Sequence, residues 1–221
     1  MKLQHKVGQI RNLFRKLPEK DRELNWVFIY GLPRAGTSYV LNQFLKVARC
    51  GIGDWELKEF FRFIRNTRDR DYVTLDTERA MAEMRDNILD NAHVGGGTQL
   101  DIAVKQIDCT KEELLYLQEL FGGPPQEKLF LFREPSGWLS SAKDKFDLDD
   151  EAAVELYERS IASYELIGGQ KLEYREGMEK DLQRSTFLKN TAPDPFEASQ
   201  KREEKVPERL RAAYDAIRAV E

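Results

Sequence analysis

Cysteine is scarce in this chain, with only Cys50 and Cys109 among 221 residues. A small secreted scaffold stapled by disulfides needs more, so a reducing compartment is expected. A basic excess is also missing, and the formal net charge is −4. That argues against nucleic acid as a partner, and any anion site must be built locally rather than by the global field. Long apolar runs are absent too. None approaches the length of a membrane span, and the opening Met1–Val7 lacks the apolar core of a signal peptide. A cytoplasmic protein without a membrane anchor is the expectation.

What is present suits one α/β domain over 1–221, flanked by helical additions. The apolar fraction of 41% is enough for a core, and the charged fraction of 33% requires helices with strongly solvated faces. Val7, Ile10, Leu13, Phe14 and Leu17 recur at helical spacing, which predicts an amphipathic helix over 1–20. Trp26–Tyr30 is a continuous apolar run and reads as a buried parallel strand. A glycine loop follows at Gly31–Gly36. A helix is then expected over Thr37–Arg49, with Val40, Leu41, Phe44, Leu45 and Ala48 inward.

Further along, 54–66 and 77–91 read as helices and His93–Gly97 as a loop. Asp101–Ile107 reads as a strand, and Lys111–Phe121 as a helix stopped by Gly122-Gly123-Pro124-Pro125. Lys128–Arg133 is a third strand. Helices are expected at 136–146 and 150–168, and a fourth strand at Lys171–Tyr174. Residues 190–221 complete the chain as a loop and a helix, with Leu210, Tyr214, Ile217 and Val220 inward. Strands alternate with helices, so the expected fold is a mainly parallel sheet of four to five strands flanked by helices, of the P-loop nucleotide-binding type.

Gly31-Leu32-Pro33-Arg34-Ala35-Gly36-Thr37-Ser38 has the glycine spacing of a phosphate loop. A full Walker loop places Lys after the second glycine, and that position is Thr37 here. The positive charge has moved back to Arg34. Enzymes of nucleoside triphosphates use that Lys on the outer phosphates, with Mg²⁺ on the next hydroxyl, so its loss argues against triphosphate chemistry. The remainder is still an anion cradle: backbone N–H groups at a helix start, two hydroxyls and one guanidinium. A plain glycine turn with no ligand is the alternative reading of the loop taken alone.

A second segment adds weight. Lys128–Phe132 leads into Arg133-Glu134-Pro135, and Ser141 follows eight residues beyond the arginine. With the loop at 31–38 and Tyr39 after it, the pair resembles the 5′-phosphosulfate and 3′-phosphate motifs of the sulfotransferases that use 3′-phosphoadenosine 5′-phosphosulfate (PAPS). The resemblance covers about residues 24–180. It implies a P-loop sulfotransferase fold and transfer of a sulfuryl group to a hydroxyl or amine acceptor, with adenosine 3′,5′-bisphosphate as product and no metal. The acceptor would be a small molecule or a peptide or glycan hydroxyl.

The resemblance also implies roles. Arg34, Ala35, Gly36, Thr37 and Ser38 would hold the 5′-phosphosulfate, and Arg133 and Ser141 the 3′-phosphate. Tyr39 and Tyr174 would lie against adenine, and Lys105 near the sulfuryl group. Arg34 is similar to the loop variant of tyrosylprotein sulfotransferases, where the soluble small-molecule enzymes carry Lys. The Lys-Thr-His pattern of the cytosolic enzymes is broken here, since Lys105-Gln106-Ile107 keeps only the Lys. The tyrosylprotein branch instead uses a Glu shortly after the first helix. Glu56 in Trp55-Glu56-Leu57-Lys58-Glu59-Phe60-Phe61 is therefore the expected base, with Glu59, Asp108 and His93 behind it. The loop that caps the 3′-phosphate in cytosolic members has no clear counterpart; Lys189 and Arg202 are possible substitutes.

Structural readings compete with each of these. Arg133 could pair with Glu134 or Asp144 at the surface. Glu56 could be one more solvated carboxylate, and the tyrosines and the aromatics at 55–63 could simply pack the core. Two other functions compete as well: a small P-loop nucleotide kinase, and a protein that binds the nucleotide without catalysis.

Overall fold

The computed structural model describes residues 23–48, 50–52, 57, 61, 85–86, 99–188, 190–198 and 205–220. The helix expected over 1–20 lies outside them, as do Glu56, Glu59, His93, Lys189 and Arg202 and most of the helices expected at 54–66 and 77–91. Within the described residues, Leu57 and Phe61 are helical and buried in the core.

Strand β1 (Glu23–Gly31) runs through the loop into helix α1 (Thr37–Phe44), and β2 (Cys50–Ile52) follows. After β3 (Gln99–Ile107) come α2 (Lys111–Phe121), β4 (Glu127–Phe132), α3 (Pro135–Phe146) and α4 (Asp150–Ile167). The chain then forms β5 (Gln170–Glu173), α5 (Met178–Leu182) and α6 (Glu208–Ala219). The five strands form one sheet in the order β2-β3-β1-β4-β5. The expected α/β class and strand number hold, and among the described residues every strand pairing is parallel.

Burial explains why the apolar runs became strands. Trp26–Tyr30 and Leu129–Phe132 are buried at successive positions, which requires cover on both sheet faces. Aromatic rings bind the layers together: Phe28 stacks on Tyr30 at 5.1 Å, and Phe130 meets both Tyr30 and Tyr164. The Tyr30 hydroxyl donates to Gly168 O at 2.7 Å.

Local signals set the helix ends. Thr110 and Glu113 form a reciprocal capping box at the start of α2, and Gly122 closes that helix in the left-handed conformation. The Asp149 side chain accepts from Ala152 N at the start of α4.

Two expected helix faces are corrected. α1 ends at Phe44 rather than Arg49, so Leu45 falls outside the inward stripe and is 43% exposed. Val220 follows the last turn of α6 and is 49% exposed, while Leu210, Tyr214 and Ile217 pack inward as expected. Strand β2, only three residues long, had no sequence signature of its own.

The topology creates the crevice that matters. From β1 the chain crosses to β2 on one side of the sheet, and from β4 it crosses to β5 on the other. β1 and β4 are adjacent, so their carboxyl ends diverge at a switch point, where open α/β sheets take their ligands. The two strands also approach closely there. Gly31 has φ of 127°, and a Cβ on it would lie 2.2 Å from Leu131 O. Only glycine fits.

Candidate anion site

The loop after β1 is a tight turn. Ala35 N donates to Leu32 O at 3.3 Å, with Pro33 and Arg34 at the corner. Pro33 supplies the fixed φ suited to the first corner position. Arg34 takes the second with φ of 64°, a conformation usually left to glycine or asparagine. A non-glycine residue held there costs about 1–3 kcal/mol, and such strain gathers at functional sites. Gly36 then enters α1 with no side-chain cap. The first N–H groups of a helix have no intrahelical acceptor, so this end offers donors and positive potential together.

The loop carbonyls are turned to other partners. Leu32 O is taken by Ala35 N, Pro33 O by Trp138 Nε1 at 2.8 Å, Arg34 O by Arg133 Nη1 at 3.3 Å and Gly36 O by Val40 N at 3.1 Å. Each carbonyl so occupied is a negative dipole withdrawn from an incoming anion.

Arg133, one residue past β4, reaches back to this loop. It is only 6% exposed. Its guanidinium carbon sits 4.1 Å from the centre of the Tyr174 ring, a cation–π contact in a desolvated place. Burial, and after it the nearby Arg34 charge, hold the Arg133 guanidinium below its ordinary range, with Tyr174 acting in the other direction. Arg34, by contrast, is exposed, so the two neighbouring cations meet where the buried edge opens to solvent. The surface-pair alternative for Arg133 does not describe this burial, and Glu134 is engaged elsewhere: it accepts from the amides of Ser136 and Gly137 as the cap of α3.

Ser141 completes the group. It is 2% exposed on α3, and its Oγ accepts from Arg34 Nε at 3.1 Å. The two sequence motifs therefore meet: the cation of the first touches the hydroxyl of the second, and the cation of the second touches the backbone of the first. On β3, Lys105 Nζ donates to Ser38 Oγ at 3.3 Å, which places the third predicted cation at the helix start. Thr37 is buried, Ala35 lies in the core and Ser38 is exposed.

The two tyrosines are placed beside the loop, each with a structural partner. Tyr174 packs on Gly36, where an added Cβ would come within 2.9 Å of its Cδ2. One face of its ring carries Arg133, and Phe196 meets it edge-on at 5.0 Å. Tyr39 packs against the same Phe196 at 4.6 Å and donates to Asp194 O at 2.5 Å. Asp194 is further held by Lys46 at 2.7 Å and by Gln43. The segment 191–198 thus crosses α1 and brings Phe196 between the two tyrosines. Sequence reasoning missed Phe196, Asp194, Trp138 and Tyr157. Trp138 lies between Arg133 and Ser141 of the second motif; the others carry no spacing that marks them.

Asp108, a reserve candidate for the base, is paired with an arginine of α4. It follows β3 with φ of 58°, and Arg159 of α4 holds its carboxylate through two bonds of 2.8 Å. Among the described residues no cluster of His, Cys, Asp and Glu is arranged for a metal. No described helix is long and apolar enough to cross a membrane.

The described residues define an α/β protein with a five-stranded, all-parallel sheet flanked by helices. No protein-family model matches the chain. No curated protein matches it significantly. Among solved structures, an unliganded sugar kinase from Janibacter sp. HTCC2649 is similar over 77% of this chain and 96% of its own, at 14% identity and a TM-score of 0.43. A shikimate kinase from Bacteroides thetaiotaomicron covers 75% of this chain and 94% of its own, at 14% identity and a TM-score of 0.39. At such identities and TM-scores the likeness bears on the fold at most.

Proposed function

We propose that the chain transfers the sulfuryl group of PAPS to a hydroxyl or amine acceptor and releases adenosine 3′,5′-bisphosphate. The observation that carries the reading is the meeting of Arg34 with Ser141 and of Arg133 with the Arg34 carbonyl. A nucleotide with anionic groups at both its 5′ and 3′ positions needs two cationic points on neighbouring strand ends. Three cations, Arg34, Lys105 and Arg133, come to the loop and the strand ends beside it, a charge that suits such a donor.

Arg34, the amides opening α1, Thr37 and Ser38 would take the charge that builds on the leaving 5′-phosphate. An arginine serves as a fixed charge and not as an acid. Arg133 and Ser141 would bind the 3′-phosphate, with Lys105 beside the group in transit. Tyr39 and Tyr174 would border the adenine. In the transfer the bond from sulfur to the 5′-phosphate oxygen breaks and a bond from sulfur to the acceptor forms. The acceptor's proton would pass to a base, for which Glu56 is the proposal.

The test is calorimetric titration with adenosine 3′,5′-bisphosphate and with ADP, followed by assay of labelled sulfate transfer from PAPS. A preference of at least about tenfold for the bisphosphate is expected, on the scale of one lost charged hydrogen bond. Equal affinities would overturn the reading.

The second reading is a small P-loop kinase. Its supporting observation is Asp108, an acid at the carboxyl end of β3 next to the β1 loop. The kinases among the similar structures share that name but lie at low identity. Thr37 in place of the Walker lysine and the commitment of Asp108 to Arg159 weigh against it. Mg²⁺-dependent turnover of ATP would establish it over sulfuryl transfer.

A further inference from the structure

Both arginine-bearing turns are tied to a pair of buried rings that neither motif includes as a ligand. Trp138 Nε1 donates to Pro33 O at 2.8 Å, one residue before Arg34. Tyr157, on α4, donates its hydroxyl to Arg133 O at 2.8 Å. The two rings pack edge to face, with centroids 5.0 Å apart and planes at 74°. Both side chains are fully buried. A buried carbonyl deprived of its donor is costly, so each bond fixes the turn that it holds. Close-packed rings transmit such constraints with little give.

We infer that Trp138 and Tyr157 are positioning residues that set the separation of Arg34 and Arg133, and through it the site's preference for a nucleotide bearing a second, 3′ anion. Neither touches the ligand. Trp138 fixes the loop from beneath, Tyr157 fixes the turn after β4, and the ring contact makes the two attachments one unit. The Arg133–Tyr174 stack and the Arg34–Ser141 bond then orient the guanidinium groups on a backbone already in place. The inference about nucleotide preference rests on the proposed function. The inference about geometry does not.

The experiment uses the full chain with Tyr157→Phe and Trp138→Phe. Two signals are read. The first is the Nε–Hε resonances of Arg34 and Arg133 in nitrogen-correlated NMR spectra, assigned with Arg34→Lys and Arg133→Lys. The second is the affinity ratio between adenosine 3′,5′-bisphosphate and adenosine 5′-monophosphate, by calorimetry. Tyr157→Phe removes one hydroxyl and keeps the ring. It is expected to shift and broaden the Arg133 resonance and to reduce the ratio about tenfold, the scale of one buried hydrogen bond. Trp138→Phe is expected to move the Arg34 resonance.

A lower melting temperature with both resonances and the ratio unchanged would mean that the rings merely pack, and would overturn the inference. If the resonances move while the wild-type chain shows no preference for the 3′-phosphate, the positioning role stands and the proposed donor is wrong.

Discussion

Arg34 Nε lies 3.1 Å from Ser141 Oγ, joining the loop after β1 to the helix after β4. The bond makes one site of two segments whose bonded residues lie 107 positions apart in sequence. Ser141→Ala removes the acceptor in a buried place and leaves the Arg34 side chain without that tether. Affinity for adenosine 3′,5′-bisphosphate is expected to fall about five- to tenfold, by the usual net value of such a bond. Calorimetric titration measures it, and an affinity within twofold of wild type would remove Ser141 from the site.

Arg34 also allows strain and charge to be separated. Its φ of 64° is easy for glycine and hard for alanine. Arg34→Gly and Arg34→Ala both delete the guanidinium, so both are expected to lose turnover by at least about a hundredfold. Their stabilities should differ: the glycine variant should exceed the alanine variant by about 1 kcal/mol in urea unfolding. Equal stabilities would show that the loop carries no such strain.

Tyr174 is expected to act first as a shelf for Arg133. Tyr174→Phe keeps the ring face and should hold bisphosphate affinity within about threefold. Tyr174→Ala should lower it by at least tenfold, in line with a desolvated cation–π contact of about 2 kcal/mol. The same loss in both variants would shift the role from the ring to the hydroxyl.

Tyr39 supplies a pH signature. Burial, reinforced by the Glu179 and Asp194 carboxylates, pushes its phenol up to about 12 from an ordinary 10.0. A group whose folded pKa is raised contributes stability that is complete below the unfolded value and is lost as pH rises through the folded one. The stability difference between wild type and Tyr39→Phe should therefore be constant below pH 10.0 and shrink between 10.0 and about 12. Urea unfolding across that range checks it. A difference that stays level to the upper limit would place the Tyr39 hydroxyl in solvent rather than on Asp194 O.

Gly31 leaves no room for a side chain between β1 and β4. Gly31→Ala sets a Cβ against Leu131 O in a left-handed conformation, and the β1–β4 pair must part. A loss of at least about 3 kcal/mol is expected, seen as a lowered urea midpoint or as failure to fold.

The architecture could be read from the sequence because its buried strands are continuous apolar runs and its helices carry their own stops. Trp26–Tyr30, Gly122-Gly123 and the Arg133–Ser141 spacing each express a local rule. β2 could not be read, since three residues gain their strand character from β3 alone. The helical stripes failed at Leu45 and Val220, each the first residue past the end of its helix. At the site, charges with fixed spacing were visible. Their supports were not: Tyr157 and Trp138 look like any core aromatics, and Phe196 and Asp194 reach the loop only through the tertiary path of the chain. The partner of Asp108 was equally invisible, because nothing near it in sequence announces Arg159.

β1 is the earliest described strand and the innermost one, with neighbours that begin at Gln99 and Glu127. A ribosome therefore delivers the central strand long before either of its direct neighbours. Until then the sticky edges of Trp26–Tyr30 must be shielded by something other than their native partners. Such an order favours slow, late consolidation and makes a nascent or truncated chain a natural client for chaperones.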